Sequence, residues 1–307
     1  MEVTVSQKAL RQQTGKKRLI SRFAPSPSGF LHLGHIVSAM YVWGISRALN
    51  AKIVLRIEDH DRQRSHSKYT QAILRDLGWL GFIDHEKDLE ISLSHHDRGE
   101  SYKKHLRIIE KQNLSYYCHC TRKSLREKHL PQSQGKELKY LGNCREAGLT
   151  YSNNVSTRLK AKDEVICFWD YFRGTVCNSP YNVCGDFILR DRKQNWSYQF
   201  ASVVDDITSG VNLVIRGEDL LSSTSRQLLL HDIFSNREPT HYIHHPLVIS
   251  KKNGIKLSKT HAATSIGSMR EKGVSPMDVL AKAAKAAHFT CGEKVRQSQI
   301  KDIVTKP

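Results

Sequence analysis

Long hydrophobic runs are missing from this chain of 307 residues. No stretch approaches the roughly 18 apolar residues that a membrane span requires, which excludes an integral membrane helix. Residues 1–17 are basic but lack an apolar core, so they do not read as a secretory signal. Cysteine is scarce and its count, seven, is odd, so a disulfide framework is not expected and a reducing cytoplasm fits best. Internal repeats and low-complexity tracts are also missing. Acidic residues are in deficit: 30 Asp+Glu stand against 48 Lys+Arg, a formal charge of +18. Such an excess points to a polyanionic partner, most often nucleic acid.

An apolar fraction of 39% with 25% charged residues describes a globular protein, long enough for one large or two modest domains. Residues 18–24 read as a short strand, stopped by Pro25-Ser26-Pro27-Ser28-Gly29. Apolar spacing over 35–49 is helical, and 52–57 is another strand. Strand, loop, helix and strand make a βαβ unit, with its site at the C-terminal ends of parallel strands. The βαβ pattern returns after Tyr198. There 200–204, 213–215 and 247–249 are expected as strands and 225–234 as a helix, and the 48 residues after Lys259 look mainly helical.

Two stretches carry phosphate chemistry. In Pro25-Ser26-Pro27-Ser28-Gly29-Phe30-Leu31-His32-Leu33-Gly34-His35, a glycine-containing loop enters a helix N-terminus, where unpaired N–H groups and the dipole favour anions. The two histidines add donors, and Gly34 allows close approach to the backbone. Alone, the stretch is equally a capped βα turn. The second, Gly254-Ile255-Lys256-Leu257-Ser258-Lys259-Thr260, flanks a serine with lysines, whose point charges suit a departing phosphate. Alone, it reads first as a solvated surface loop.

Together these stretches resemble the two signatures of class I aminoacyl-tRNA synthetases. Residues 22–29, Leu55-Arg56-Ile57-Glu58-Asp59 and residues 214–224 are similar to the glutamyl branch of that family. Residues 198–206 and His245-Pro246-Leu247-Val248 resemble the shortened members of that branch, which attach glutamate to queuosine in the anticodon of tRNA(Asp). The resemblance implies an α/β fold: a Rossmann-type parallel sheet split by an insertion with a zinc site, and a short helical C-terminal remnant. The expected division is a basic, flexible leader at 1–17 and nucleotide-binding halves at 18–105 and 191–260. The insertion occupies 106–190, and 261–307 forms the helical remnant without an anticodon-binding domain.

The resemblance also assigns residues. Glutamate presents two carboxylates and an ammonium. Arg22 and Arg216 suit the carboxylates, divided either way, because guanidinium binds carboxylate bidentately. Glu58 takes the ammonium and Tyr198 supplies a hydroxyl; Phe23, Ala24, Pro25 and Ser26 line the same pocket. Glu58 with Arg56 is otherwise a plain ion pair at a strand end. For ATP the residues are His32, Gly34, His35, Lys256 and Lys259. His32, His35 and Lys259 act on the phosphates with Mg2+, through positioning and charge stabilisation. Cys118-His119-Cys120 and Tyr140-Leu141-Gly142-Asn143-Cys144 resemble a structural Zn2+ site of three cysteines and a tyrosine, Cys118, Cys120, Tyr140 and Cys144. The polar residues between them are read as looping out, and His119 is a further candidate ligand.

The implied activity is ATP-dependent glutamylation of queuosine in tRNA(Asp) by a cytoplasmic monomer that uses ATP and L-glutamate and has no membrane partner. The rival readings are a truncated glutamyl-tRNA synthetase charging a 3′ end and a non-catalytic tRNA-binding paralogue.

Overall fold

The computed structural model describes residues 18–60, 63–83, 89–92, 98–128, 139–152, 154–235, 240–248 and 264–305. The chain opens with strand β1 (Ile20–Phe23), helix α1 (Leu33–Leu49) and strand β2 (Lys52–Arg56), the expected βαβ unit. Helix α2 (Ser67–Trp79), strand β3 (Leu89–Ser92) and helix α3 (Gly99–Lys111) follow. Then come β4 (Ser115–Cys118), α4 (Arg122–Lys128), β5 (Ser156–Leu159), the hairpin β6 (Ile166–Asp170) and β7 (Gly174–Asn178), α5 (Pro180–Cys184) and β8 (Ile188–Arg190). The second half brings α6 (Tyr198–Thr208), β9 (Leu213–Gly217), α7 (Leu221–Ile233) and β10 (His241–His245). Helices α8 (Ile266–Glu271), α9 (Pro276–Ala286) and α10 (Ile300–Thr305) close it.

Among the described residues, one seven-stranded sheet has the order β3-β2-β1-β9-β10-β6-β7. Every neighbouring pair is parallel except the edge hairpin β6–β7. Strand order reverses direction at β1 and β9, the switch point beside which α/β sheets leave a crevice at the C-terminal strand ends. A separate antiparallel sheet, β4-β5-β8, carries the cysteine cluster.

Both faces of the parallel sheet are covered, as parallel sheets require. Along β9, Leu213 and Ile215 join the cluster around α1, while Val214 joins Phe168 and Tyr242 on the other side. Helix α1 is buried nearly all round because the C-terminal helices pack on it, with Val279, Leu280, Ala283, Ile300 and Val304 in the same core. Among the described residues no helix is long and apolar enough to cross a membrane.

Four local expectations are corrected. Residues 200–204, read as a strand, lie inside α6, which Ser197 caps by accepting from the Phe200 N–H. A short apolar run has the same composition in either state, and burial against α3 and Leu230 decides it. In place of the strand at 247–249, pairing ends at His245, before Pro246, and Ile249 lies outside the described residues. The apolar run 165–169, expected in the insertion, supplies β6 of the main sheet, parallel to β10. Finally, Cys167 and Cys177 face each other across β6 and β7 and form a disulfide, a single bridge that the expectation of no disulfide framework did not foresee. Cross-strand adjacency, invisible in their ten-residue spacing, brings the two sulfurs together.

Candidate active site and metal centre

A cavity of about 470 Å³ opens at the C-terminal ends of β1, β2, β9 and β10. Its wall brings together Arg22, Phe23, Ala24, Pro25, Ser26, His32, Gly34, His35, Glu58, Tyr198 and Arg216, drawn from six separate elements and loops. Lys256 and Lys259 lie outside the described residues.

The loop after β1 is pinned on both sides. The Glu58 N–H donates to the Pro25 carbonyl (3.1 Å) and the His66 N–H to the Pro27 carbonyl (3.1 Å). His32 is the N-cap of α1, its Nδ1 accepting from the Gly34 N–H (3.1 Å), and His35 Nδ1 accepts in return from the His32 N–H (3.2 Å). This is a capping box built from two histidines. An Nδ1 that accepts a backbone N–H is unprotonated, so each neutral ring carries its hydrogen on Nε2. The two rings lie 3.9 Å apart, tilted by 35°, and present N–H donors at the positive end of a 17-residue helix, a setting suited to phosphate. A Cβ at Gly34 would crowd the capping His32 ring at 3.0 Å.

Beneath the cavity three guanidinium groups meet three carboxylates. Buried Arg56 ion-pairs with Glu58 (3.0 Å), Asp206 (2.8 Å) and Asp205 (3.8 Å). Arg22 reaches Asp206 at 3.4 Å and donates to the Ile215 carbonyl (3.3 Å), while Arg98 pairs with Asp205 at 2.9 Å. Tyr102 Oη–H donates to Asp205 (2.8 Å). Burial alone would lower the Arg56 pKa, but Asp206, Glu58 and Asp205 together raise it well above the usual value. Burial pushes the Asp205 carboxyl up to about 6, against Arg56 and Arg98. At Asp206, Arg56 and Arg22 outweigh burial and hold the carboxyl below its ordinary value. The sequence reading passed over Asp205 and Asp206; their signal was two adjacent acids within an otherwise apolar helical run.

Arg216 is held on another side. Its Nη1 donates to Gln227 Oε1 (2.7 Å) and reaches Tyr198 Oη at 3.5 Å, and its Nη2 donates to Thr224 Oγ1 (2.7 Å). His245, His60 and Arg64 also line the cavity and were missed. His245 stacks on Tyr41 at 4.5 Å and donates from Nδ1 to the Pro246 carbonyl (2.9 Å), so its Nε2 accepts from Ser38 Oγ–H (2.7 Å). Burial pushes its pKa down to about 4.

The second constellation lies where β4 meets the 140–144 loop. The Sγ atoms of Cys118, Cys120 and Cys144 all lie within 4.8 Å of one another. Tyr140 Oη is 3.4 Å from Cys118 Sγ and 4.0 Å from Cys120 Sγ, so the 22-residue separation from Cys118 does not keep it away. Tyr140 is seated by a bridge to Gly185, whose φ of +67° and contact with the Tyr140 carbonyl only glycine tolerates. Thiolate–zinc bonds of roughly 2.3 Å in a tetrahedron place sulfurs just under 4 Å apart, so three sulfurs and one phenol oxygen fit a closed shell. His119 Nδ1, 3.7 Å from Cys144 Sγ, is close enough to compete.

Residues 18–296 match the family of class I tRNA synthetases (E and Q), catalytic domain. The chain belongs to that family of ligases. It is 37% identical over 247 residues to the glutamyl-Q tRNA(Asp) synthetase of Acinetobacter baylyi, covering 80% of this chain and 79% of that protein. It is 32% identical over 295 residues to the glutamate–tRNA ligase of Anaeromyxobacter dehalogenans, covering 92% of this chain but 62% of the ligase. The chain therefore spans about three fifths of the length of such ligases. The fold also matches a glutamate–tRNA synthetase structure from Elizabethkingia anophelis (TM-score 0.72, 22% identity, 94% of this chain and 66% of that one).

Proposed function

We propose that this protein activates L-glutamate with ATP and transfers it to queuosine in the anticodon of tRNA(Asp). The observation that carries the first half is the cavity. Its wall carries the guanidinium groups of Arg22, Arg64 and Arg216, the carboxylates of Glu58 and Asp219, and the Tyr198 hydroxyl, beside a histidine-capped helix N-terminus. That charge set complements an amino acid with two carboxylates and one ammonium next to a polyphosphate. Activation forms a bond between a glutamate α-carboxylate oxygen and the α-phosphorus of ATP and breaks the bond to pyrophosphate. Glu58 anchors the ammonium and Tyr198 and the 23–26 loop orient the substrate. His32 and His35 donate from Nε2 to the phosphates, and Lys259 follows the charge that builds on the leaving pyrophosphate. Mg2+ bound with ATP neutralises phosphate charge. The cysteine cluster with Tyr140 holds a structural Zn2+.

The transfer half rests on the similarity to the Acinetobacter baylyi protein, which extends over most of both chains. The charge of +18 suits an RNA partner. We take the enzyme to act as a cytoplasmic monomer. The test is glutamylation of tRNA(Asp) with and without queuosine, followed by mapping of the product. Glutamate on the modified base, in queuosine-containing RNA alone, is the expected result. Glutamate on the 3′-terminal adenosine means a truncated ligase, and no glutamate-dependent ATP–pyrophosphate exchange means a non-catalytic paralogue.

A further inference from the structure

Arg216 is buried; Nη1 donates to Gln227 and reaches Tyr198, Nη2 uses one of its two hydrogens on Thr224, and Nε–H donates to His244 Nε2 (2.9 Å). An arginine Nε–H can only donate, so His244 Nε2 must accept and carries no hydrogen. The hydrogen is then on Nδ1, which sits 2.7 Å from Asp170 Oδ2. The same carboxylate oxygen accepts the His244 backbone N–H (3.0 Å), and Oδ1 accepts the N–H groups of Phe172 (2.9 Å) and Arg173 (3.0 Å). Asp170 and His244 are both fully buried. The result is a directional chain from the end of β6, through the end of β10, to the end of β9, reaching a cavity-lining guanidinium.

We propose that Asp170 and His244 are positioning residues for substrate recognition: Asp170 fixes the Nδ1–H tautomer of His244, whose Nε2 then sets the plane and rotation of the Arg216 guanidinium for a carboxylate of the substrate. This rests on the reading of Arg216 as a glutamate-binding residue. Neither residue touches the cavity; both act through Arg216. Lysine could not replace Arg216 here, since one ammonium cannot meet His244, Thr224 and Gln227 in a plane and still face a carboxylate. Thr224 Oγ1, 3.1 Å from His244 Nε2 and 2.7 Å from Arg216 Nη2, closes the geometry from α7. Burial also lowers the His244 pKa, and Arg216 lowers it further, which keeps the ring in its accepting, neutral form.

The test is steady-state ATP–pyrophosphate exchange in the full-length protein, with KM measured separately for glutamate and ATP. Wild-type exchange that does not depend on glutamate would remove the underlying reading itself, independently of this proposal. Given glutamate dependence, His244→Leu deletes the acceptor and is expected to raise the glutamate KM about tenfold to a hundredfold, the usual cost of a lost charged hydrogen bond. The ATP KM should stay within about twofold. His244→Gln, whose amide oxygen can accept from Arg216 Nε–H while its NH2 donates to Asp170, should recover most of the loss. Asp170→Asn, which no longer enforces the tautomer, should also raise the glutamate KM selectively, and it carries the test if the leucine variant does not fold. An unchanged glutamate KM, an equal rise in both KM values, or a glutamine variant no better than leucine would overturn the proposal.

Discussion

Replacing Arg56 by methionine should expose how finely the charges under the cavity are balanced. Three guanidinium groups, Arg22, Arg56 and Arg98, face three carboxylates, Glu58, Asp205 and Asp206, and Arg56 touches all three acids at 3.0, 3.8 and 2.8 Å. Methionine fills similar space but leaves three buried acids to two cations. Breaking a buried ion pair from one side costs about 3–5 kcal/mol, because the abandoned charge keeps its desolvation penalty. The expected loss near pH 7.5 is therefore about 4 kcal/mol, a shift of more than about 1 M in the urea midpoint at a slope near 3 kcal/mol/M. The pH dependence sharpens the test. Without Arg56, Asp205, already raised to about 6 by burial, moves further above its unfolded value, and Asp206 loses the largest of the charges that hold it down. A group whose folded pKa exceeds its unfolded pKa gives the folded state more protons between the two, so the variant gains stability as pH falls. The deficit should shrink on going from pH 7.5 to 5, by roughly 1.4 kcal/mol per pH unit for each acid that titrates in that window. Urea unfolding followed by tryptophan fluorescence, with buried Trp43 among the reporters, measures both numbers. A deficit below about 1 kcal/mol, or one that stays constant or grows toward pH 5, would refute the reasoning.

Three further outcomes follow. His245 has a folded pKa of about 4 against an ordinary value of 6.5, so the unfolded chain binds more protons between those limits and stability falls as pH drops through them, by about 3 kcal/mol in all. His245→Gln should lack that contribution. Because Asp205 slopes the opposite way, the quantity to read is the urea-midpoint difference between variant and wild type at pH 7.5 and 4.5, and a pH-independent difference would count against it. Elemental analysis of metal-replete protein should find about one zinc per chain, lost in Cys118→Ser or Cys144→Ser, with RNA transfer reduced more than glutamate activation; absence of stoichiometric zinc would end this reading. Lys259→Ala should slow glutamyl-adenylate formation far more than it weakens glutamate binding, as rapid-quench kinetics would show, and an unchanged rate would remove its assigned role.

The features the sequence determined by itself are those whose physics is local. A proline- and glycine-stopped strand leading into a helix start is written in neighbouring residues, and α1, β1 and β2 lie where that pattern puts them. The close spacing of His32 and His35, and of Cys118 and Cys120, was legible for the same reason. The excess of basic residues was likewise a property of composition alone. What only the tertiary structure decided depends on contacts between distant segments. Residues 200–204 are helical because that run is buried against α3 and Leu230, a fact no short apolar window contains. Asp206 meets Arg22 across 184 positions, and Asp170 meets His244 across 74. Cys167 finds Cys177 because β6 and β7 pair in that register. Asp205 and Asp206 come from a helix far along the chain from β1, so nothing beside Arg22 in the sequence announces the carboxylate that neutralises it.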